Sequence, residues 1–369
     1  MPFFSFENLS ITAVASAVPS QIVNVESFKP KFGDEVVDRF MTMTGIRQFR
    51  KTAEHQTASD LGFAAAQEIL TRKGIDPNSV GALVFIAHST DYRRPATACV
   101  LHKRLGLSKE CVAFDVSLGC SAFVYGLQIV CSMMTCSNIE RALLIVGETL
   151  TKMTYPTDKS VTMLFGDAGG AVLIERENGA SVKGLLRSDG NGYRAIIAPA
   201  GGFRNMHAET KPMIWDDGNE RTLYNTFMNG TDVFNFTISD VPRTIKDFWK
   251  LTQTNVESYD CFAMHQANYY IHKQLAKQLK IPLEKMPVCL DRFGNTSAPA
   301  IPLTLSDCLG NVTGKKLRTL MCGFGVGLSW GVASAVIDSD SVYPVIESDE
   351  IFTEGIINGP DDMKEEEQA

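Results

Sequence analysis

The sequence predicts an α/β protein built from two similar halves and followed by an acidic tail. Three observations carry that expectation. Short apolar segments with strand character alternate with helical stripes along residues 1–337. The halves also end alike: FGDAGGAVLIE at 165–175 and GFGVGLSWGVASAVI at 323–337 each place a Gly-rich turn before an apolar strand, the mark of an internal duplication. Finally, 44% hydrophobic and 21% charged residues over 369 positions is the balance of a globular chain, which excludes disordered and collagen-like classes. No apolar run approaches the ~20 residues of a spanning helix, so no membrane insertion is expected.

The elements follow in order. Residues 9–17 read as a first strand. Residues 57–73 open on capping-type Thr57 and Ser59, keep a helical apolar stripe and stop at Gly74. ALVFIAH (82–88) reads as a buried strand, 95–105 as a helix with Pro95 in its first turn, and CVAFDVSL (111–118) as a strand. Residues 120–136 form a helix that is apolar on nearly every face, which predicts burial in the middle of the protein. ALLIVGE, GGAVLIE and SVKGLLRSD read as three further strands. Residues 190–229, rich in Gly, Pro, Asn and Asp, read as a long excursion. In the second half, 231–250 carries a helical stripe with Pro242 as a kink. YDCFAMH reads as a strand, 268–280 as a helix, MPVCL (286–290) as a strand, 298–309 as a helix, and LRTLMCGF and GVASAVI as strands. Beyond 337 periodicity is lost, and DDMKEEEQA reads as disordered.

The net charge of −7 is unevenly placed. Residues 338–369 hold eleven acidic side chains against Lys364, a balance of −10 that leaves 1–337 at +3. No basic cluster points to nucleic acid. Nine cysteines, an odd number without a Cys-x-x-Cys, argue against a disulfide framework and for a reducing, cytoplasmic setting. The apolar N-terminus lacks a basic region and is interrupted by Glu7, which argues against a signal peptide. No His/Cys spacing resembles a metal-ligand set.

Three residues carry chemistry. Cys120 follows a strand across Gly119 and opens the buried helix, so the helix N-terminus is expected to favour its thiolate. A buried small residue is the plain alternative. His265 ends a strand in MHQAN, and Asn295 lies in the turn DRFGNTSAP; each alone reads more readily as structural.

Their order, Cys…His-Gln-Ala-Asn…Gly-Asn-Thr-Ser…Gly-Phe-Gly-x-Gly, strongly resembles the β-ketoacyl-acyl carrier protein synthase III family, decarboxylating condensing enzymes of the thiolase superfamily. Thr44-Gly45-Ile46-Arg47, Pro156-Thr157-Asp158, Phe165-Gly166-Asp167 and Leu290-Asp291-Arg292 fit the same pattern, which runs from the first strand to about Ile337. The resemblance implies a thiolase-like fold: two duplicated βα halves in five layers (α-β-α-β-α) around a buried central helix pair. Residues 1–180 would carry the nucleophile, 181–337 the His and Asn, and 338–369 a partly disordered acidic tail.

It also implies roles. Cys120 matches the nucleophile that takes an acyl group from a thioester. His265 and Asn295 match the neutral donors that stabilise the enolate formed when malonyl-carrier protein loses CO₂, a step that needs held charge rather than a base. Phe324 matches an apolar wall near the malonyl carboxylate. Asn268, Gly230 and Phe234 keep family identities near the pantetheine channel. The acyl and malonyl groups are substrates carried on coenzyme A or on acyl carrier protein, with no further cofactor, and the family is homodimeric.

Departures bear on substrate. Arg39 stands where the family has an adenine-stacking Trp, Met43 replaces a coenzyme A Arg, and Lys159 replaces a second stacking Arg. Val326 breaks the glycine triplet at 325–327. Arg94 occupies the position of an apolar residue that reaches the partner's acyl pocket; a solvated loop charge is its plain reading. A relative that transfers acyl groups to oxygen or nitrogen without condensation is the alternative function, and retention of both His265 and Asn295 argues against it. A hydroxymethylglutaryl-type synthase would need a Glu base near the Cys; none stands beside it in the sequence, and no signal assigns Glu148 to that role.

Overall fold

The structure, a computed structural model, describes residues 2–363. Nine strands form one continuous sheet: β1 (Phe3–Val18), β2 (Ala82–Ile86), β3 (Val112–Val116), β4 (Arg141–Glu148), β5 (Ala168–Ser188), β6 (Cys261–Met264), β7 (Lys316–Gly325), β8 (Ser329–Asp338) and β9 (Ile346–Glu347). The helices that matter for the site are α1 (Asp34–Thr44), α2 (Ala58–Lys73), α3 (Thr97–Arg104), α4 (Ala122–Thr135), α5 (Gly230–Thr252), α6 (Tyr269–Leu279) and α7 (Ala300–Leu309).

The strand order is β6-β7-β8-β5-β4-β2-β3, with β1 beside β5 and β9 beside β1. Each half repeats one motif: β2 runs parallel to β4 and β4 antiparallel to β5, just as β6 runs parallel to β7 and β7 antiparallel to β8. Strand alternation then fixes the layers. Ala82, Val84 and Ile86 face a core shared with Leu127 of α4 and Leu305 of α7, while Leu83 and Phe85 face a second core with Leu61 of α2 and Leu101 of α3. In the other half Ala263 and Met321 face the shared core, and Phe262 and Leu320 face a third with Phe248 of α5 and Leu275 of α6. The result is the five-layered thiolase-like fold, with α4 and α7 as its buried central pair.

Four departures from the sequence reading have physical causes. GGAVLIE and SVKGLLRSD are one strand, β5, which pairs with β1 along its length; position 180 falls inside it. The Asn178-Gly179 step that looks like a turn is matched by a left-handed Asn8 in β1, whose side chain accepts the Gly179 N–H at 3.0 Å, so both strands bend together. The same pairing lengthens the first strand to Phe3. MPVCL is not a strand. Pro287 has no N–H to give, and Gln266 satisfies the segment instead, donating to the Pro287 carbonyl at 3.3 Å and accepting from Cys289 N–H at 3.3 Å. Finally, the tail is docked as far as it is described. β9 adds to β1, Glu347 pairs with Arg50 at 2.8 Å, and the Phe352 N–H donates to Asp60 at 3.0 Å. Of the segment read as disordered, Asp361–Met363 lie in a short 3-10 turn, and 364–369 fall outside the described residues. Among the described residues no helix is long and apolar enough to cross a membrane, and the nine cysteines are free thiols.

Candidate active site

Strand β3 delivers the chain through Ser117, Leu118 and Gly119 to Cys120, two residues ahead of α4. The Ala122 N–H closes the turn onto the Gly119 carbonyl at 2.8 Å. The end of β7 passes close beneath, and only glycine permits it. A Cβ on Gly325 would stand 2.9 Å from the Cys120 sulfur, and one on Gly323 would stand 2.9 Å from the Cys120 carbonyl oxygen. Val326 does not block the thiol: its side chain packs over Gly119, 2.8 Å from where a Cβ there would lie, while its backbone N–H and that of Cys120 face the sulfur.

Cys120 Sγ lies 3.3 Å from the hydroxyl of Ser297, which sits in the left-handed region at φ 60°. The thiol is not activated as the helix-start reading expects. Burial pushes it above its ordinary 9.0, assisted by the charge of Glu148, and outweighs the Ser297 hydrogen bond and the two N–H groups.

His265 is placed by β6, whose parallel pairing with β7 continues as a hydrogen bond from the His265 N–H to the Cys322 carbonyl at 2.8 Å. The ring meets Phe324 edge-on at 5.2 Å. Burial lowers its pKa from 6.5 to about 4, with a Ser297 backbone hydrogen bond opposing, so the imidazole is neutral at neutral pH. Asn295 follows the left-handed Gly294 and is clamped through its backbone by Leu164 at 2.9 Å and Gly166 at 3.1 Å. Its side-chain oxygen accepts the Ser297 N–H at 3.0 Å, which fixes the amide and leaves its NH₂ as the donor for a ligand. The Phe165-Gly166-Asp167 motif is the frame of this clamp. A Cβ on Gly166 would fall 2.1 Å from the Phe293 carbonyl oxygen, and buried Asp167 accepts from the backbone and hydroxyl groups of Thr52 and Thr151.

Cys120, His265 and Asn295 line one cavity of about 660 Å³, together with Phe324, Val326, Asn268, Gly230 and Phe234. Asn268 also caps α6, accepting the Ile271 N–H at 2.8 Å, and Phe234 stacks on Tyr270 at 5.6 Å. Arg39, Lys159 and Arg94 are exposed and lie outside the cavity walls. Arg39 shares a helical stripe of α1 with Met43, one turn on, which does line the cavity. The sequence reading missed two groups and left a third unassigned. Ser297 was legible only as part of Asn-Thr-Ser, and His88 only as the end of a strand. Glu148, wholly buried at the end of β4, carried no local signal.

A family model described as 3-oxoacyl-[acyl-carrier-protein (ACP)] synthase III matches residues 114–190, and its C-terminal counterpart matches 250–337. A beta-ketoacyl-[acyl-carrier-protein] synthase III of Vibrio vulnificus is 32% identical over 328 residues, covering 88% of this chain and 98% of the relative. The chain belongs to the 3-oxoacyl-ACP synthase III family. A synthase III of Natranaerobius thermophilus is 33% identical, with 88% of this chain and 98% of the relative covered. Among solved structures, a 3-oxoacyl-(acyl-carrier protein) synthase from Burkholderia xenovorans LB400 shares the fold with a TM-score of 0.88 at 33% identity, covering 94% of this chain and 99% of that one. The first synthase III segment contains Cys120, and the second contains His265, Asn295 and Phe324. Residues 191–249, which hold nearly all of the excursion and most of α5, and the segment after 337 lie outside both.

Proposed function

We propose that this chain is an acyltransferase that catalyses decarboxylative Claisen condensation of an acyl thioester with malonyl-acyl carrier protein, giving a 3-oxoacyl product for fatty-acid-type chain synthesis. One observation carries the reading: a cysteine and two neutral, fixed donors converge on a single, mostly apolar cavity. Cys120 attacks the thioester carbonyl, the oxyanion is held by the N–H groups of Cys120 and Val326, and the carrier thiol leaves. Malonyl thioester then enters. Its carbonyl oxygen accepts hydrogen bonds from neutral His265 and the Asn295 amide, CO₂ departs along the Phe324 wall, and the enolate carbon attacks the acyl-cysteine carbonyl, whose C–S bond breaks to return the Cys120 sulfur and release the 3-oxoacyl thioester. A cationic His265 is not needed, because the charge that develops is met by donors set in place beforehand.

The acyl donor is carried on acyl carrier protein in preference to coenzyme A. Arg39 and Lys159 cannot form the flat clamp of a Trp and an Arg around adenine, and Met43 is uncharged. Asn268, Gly230 and Phe234 still line the path of a pantetheine arm. We further assign a homodimer, with β3 at the edge of the sheet and the Arg94 loop at the interface.

The test is intact-mass analysis with a panel of acyl thioesters, followed by measurement of CO₂ released from malonyl-carrier protein. Mass gain on Cys120 and CO₂ release coupled to 3-oxoacyl product are expected. Acylation without CO₂ release, with transfer to an alcohol or amine, would overturn the reading.

A further inference from the structure

Two polar groups at the cavity have no task in decarboxylation. His88 follows β2 and lines the cavity that contains Cys120. Its ring lies over the peptide just before the nucleophile: a Cβ on Gly119 would stand 3.0 Å from Cε1 and 3.1 Å from Nδ1. Behind the ring, Glu148 is wholly buried. Its Oε1 accepts the His88 N–H at 3.0 Å and lies 3.9 Å from His88 Nδ1. Its Oε2 accepts the Ser89 N–H at 3.2 Å and the Ser89 hydroxyl at 2.7 Å.

A carboxylate is expensive to bury, and this one is held by the backbone and hydroxyl groups of His88 and Ser89 in the turn that carries the ring. Burial raises the Glu148 pKa, and the neighbouring His88 opposes that rise. A histidine backed by a carboxylate is the usual construction of a general base. The sulfur is not its substrate. Cys120 Sγ shares its hydrogen bond with the Ser297 hydroxyl, and the Glu148 charge makes the thiolate harder to form, not easier. His88 and Cys120 line the same cavity, and an acyl group mounted on the sulfur would share that space with the ring.

We propose that His88, oriented by Glu148, removes a proton from the carbon α to the thioester carbonyl of the acyl group held on Cys120. The inference rests on the acyl-cysteine of the proposed function. The α C–H bond breaks, and its proton goes to His88 Nε2, since Nδ1 faces Glu148. The electron pair moves into the enolate, whose oxygen is held by the N–H groups of Cys120 and Val326. Return of a proton from His88 restores the acyl-enzyme. The cavity thus has two routes to a carbon nucleophile: loss of CO₂ from the extender on the His265 and Asn295 side, and proton abstraction from the starter on the His88 side. The substrate class for the second route is any acyl thioester with an α-hydrogen. The 3.9 Å gap to Glu148 is of the kind that unliganded sites close when substrate arrives.

The experiment acylates the full chain with butyryl-pantetheine in D₂O, then releases the acyl group with hydroxylamine and weighs the hydroxamate. Exchange is scored per mole of acyl-enzyme, so a change in acylation rate does not enter. Wild type is expected to gain α-deuterium faster than free butyryl-pantetheine at the same pD. His88→Gln should lower the exchange rate by about 10²-fold or more, the usual worth of a positioned base. Asn295→Ala should lose CO₂ release from malonyl-carrier protein while keeping exchange. A wild-type acyl-enzyme that exchanges no faster than free thioester overturns the inference and leaves the decarboxylative reading standing; this arm needs no variant to fold. Equal exchange in wild type and His88→Gln also overturns it. Absence of any acyl group on Cys120 would sink both readings together.

Discussion

The neutrality of His265 has a thermodynamic signature that acid exposes. In the unfolded chain an imidazole takes up its proton around pH 6.5, whereas in the folded protein burial beside Phe324 holds His265 unprotonated down to about 4. Between those values the unfolded state binds more protons, so stability falls as pH falls through that window. Once pH is below both values the loss is about 3 kcal/mol, at ~1.4 kcal/mol per tenfold of proton affinity. About 2 kcal/mol of it accrues between pH 7 and pH 5. Buried His272, whose ring contacts the Met286 carbonyl at 2.9 Å, adds in the same direction. Glu148 and Asp167 act with the opposite sign, because burial raises their pKa values. The diagnostic quantity is therefore the difference between wild type and His265→Gln. In urea unfolding at pH 7, 6 and 5, the wild-type loss should exceed that of the variant by about 2 kcal/mol. The His265 ¹³Cε1 resonance should show no titration above pH 5. Parallel pH slopes within about 0.5 kcal/mol, or a resonance midpoint near 6.5, would refute the reasoning and with it the neutral donor.

Cys120→Ala should abolish acyl-enzyme formation by intact mass, whereas Cys131→Ala and Cys322→Ala should not, since both thiols are buried and burial pushes their pKa values far up. Alkylation of Cys120 by iodoacetamide should keep rising with pH through 9 rather than levelling near neutrality, because burial holds the thiol above its ordinary 9.0; a plateau below pH 8 would contradict this. Asn295→Ala should slow malonyl decarboxylation by ~10²-fold or more while acylation of Cys120 survives, and equal loss of both half-reactions would make Asn295 a turn residue only. Arg221 is fully buried between Trp215 and Phe227 and bonds Asp158 at 2.6 Å and Asp217 at 2.7 Å. Arg221→Ala should therefore cost about 3–5 kcal/mol by leaving Asp158 buried and uncompensated, read as a fall in thermal midpoint.

The parts of the fold that were legible are those whose reason is local. Residues 57–73 held because Thr57 and Asp60 form a capping box and Gly74 closes the end at φ 62°. The central helix held because no face of it could meet water. α1 went unread because only Val37 and Met41 are buried in its eleven residues, too sparse a stripe to register. β5 was divided because the Asn178-Gly179 step is a turn in any local reading, and only the left-handed Asn8, 171 positions away, turns it into a paired bend. The candidate site divides in the same way. Cys120, His265 and Asn295 are declared by the order of their motifs along the chain, not by any one of them alone. Ser297 meets Cys120 across 177 positions and Glu148 meets His88 across 60, and no short window holds both partners. The reversed direction of the thiol pKa has the same origin. Helix position is visible in a string; the walls that desolvate the sulfur are not.

Charge shows most clearly how a correct count can still mislead. The tail sums to −10 and the body to +3, which suggests a mildly positive surface open to an anionic partner. In the folded chain three of the tail's carboxylates already face cations of the body. Glu347 takes Arg50, Glu354 takes Lys103 at 2.7 Å, and Glu350 lies 3.6 Å from Arg104, whose guanidinium also pairs with buried Asp60 at 2.8 Å and packs over Phe352 at 4.8 Å. Asp349 accepts from the backbone and hydroxyl of Ser20, and Gln56 donates to the carbonyls of Ser348 and Glu350. The strap lacks periodicity because side chains of the body, not a ladder or a helix of its own, satisfy its backbone. Part of its acidity is therefore structural: Glu347 pairs with Arg50, and Glu350 adds to the Asp60 partner of Arg104.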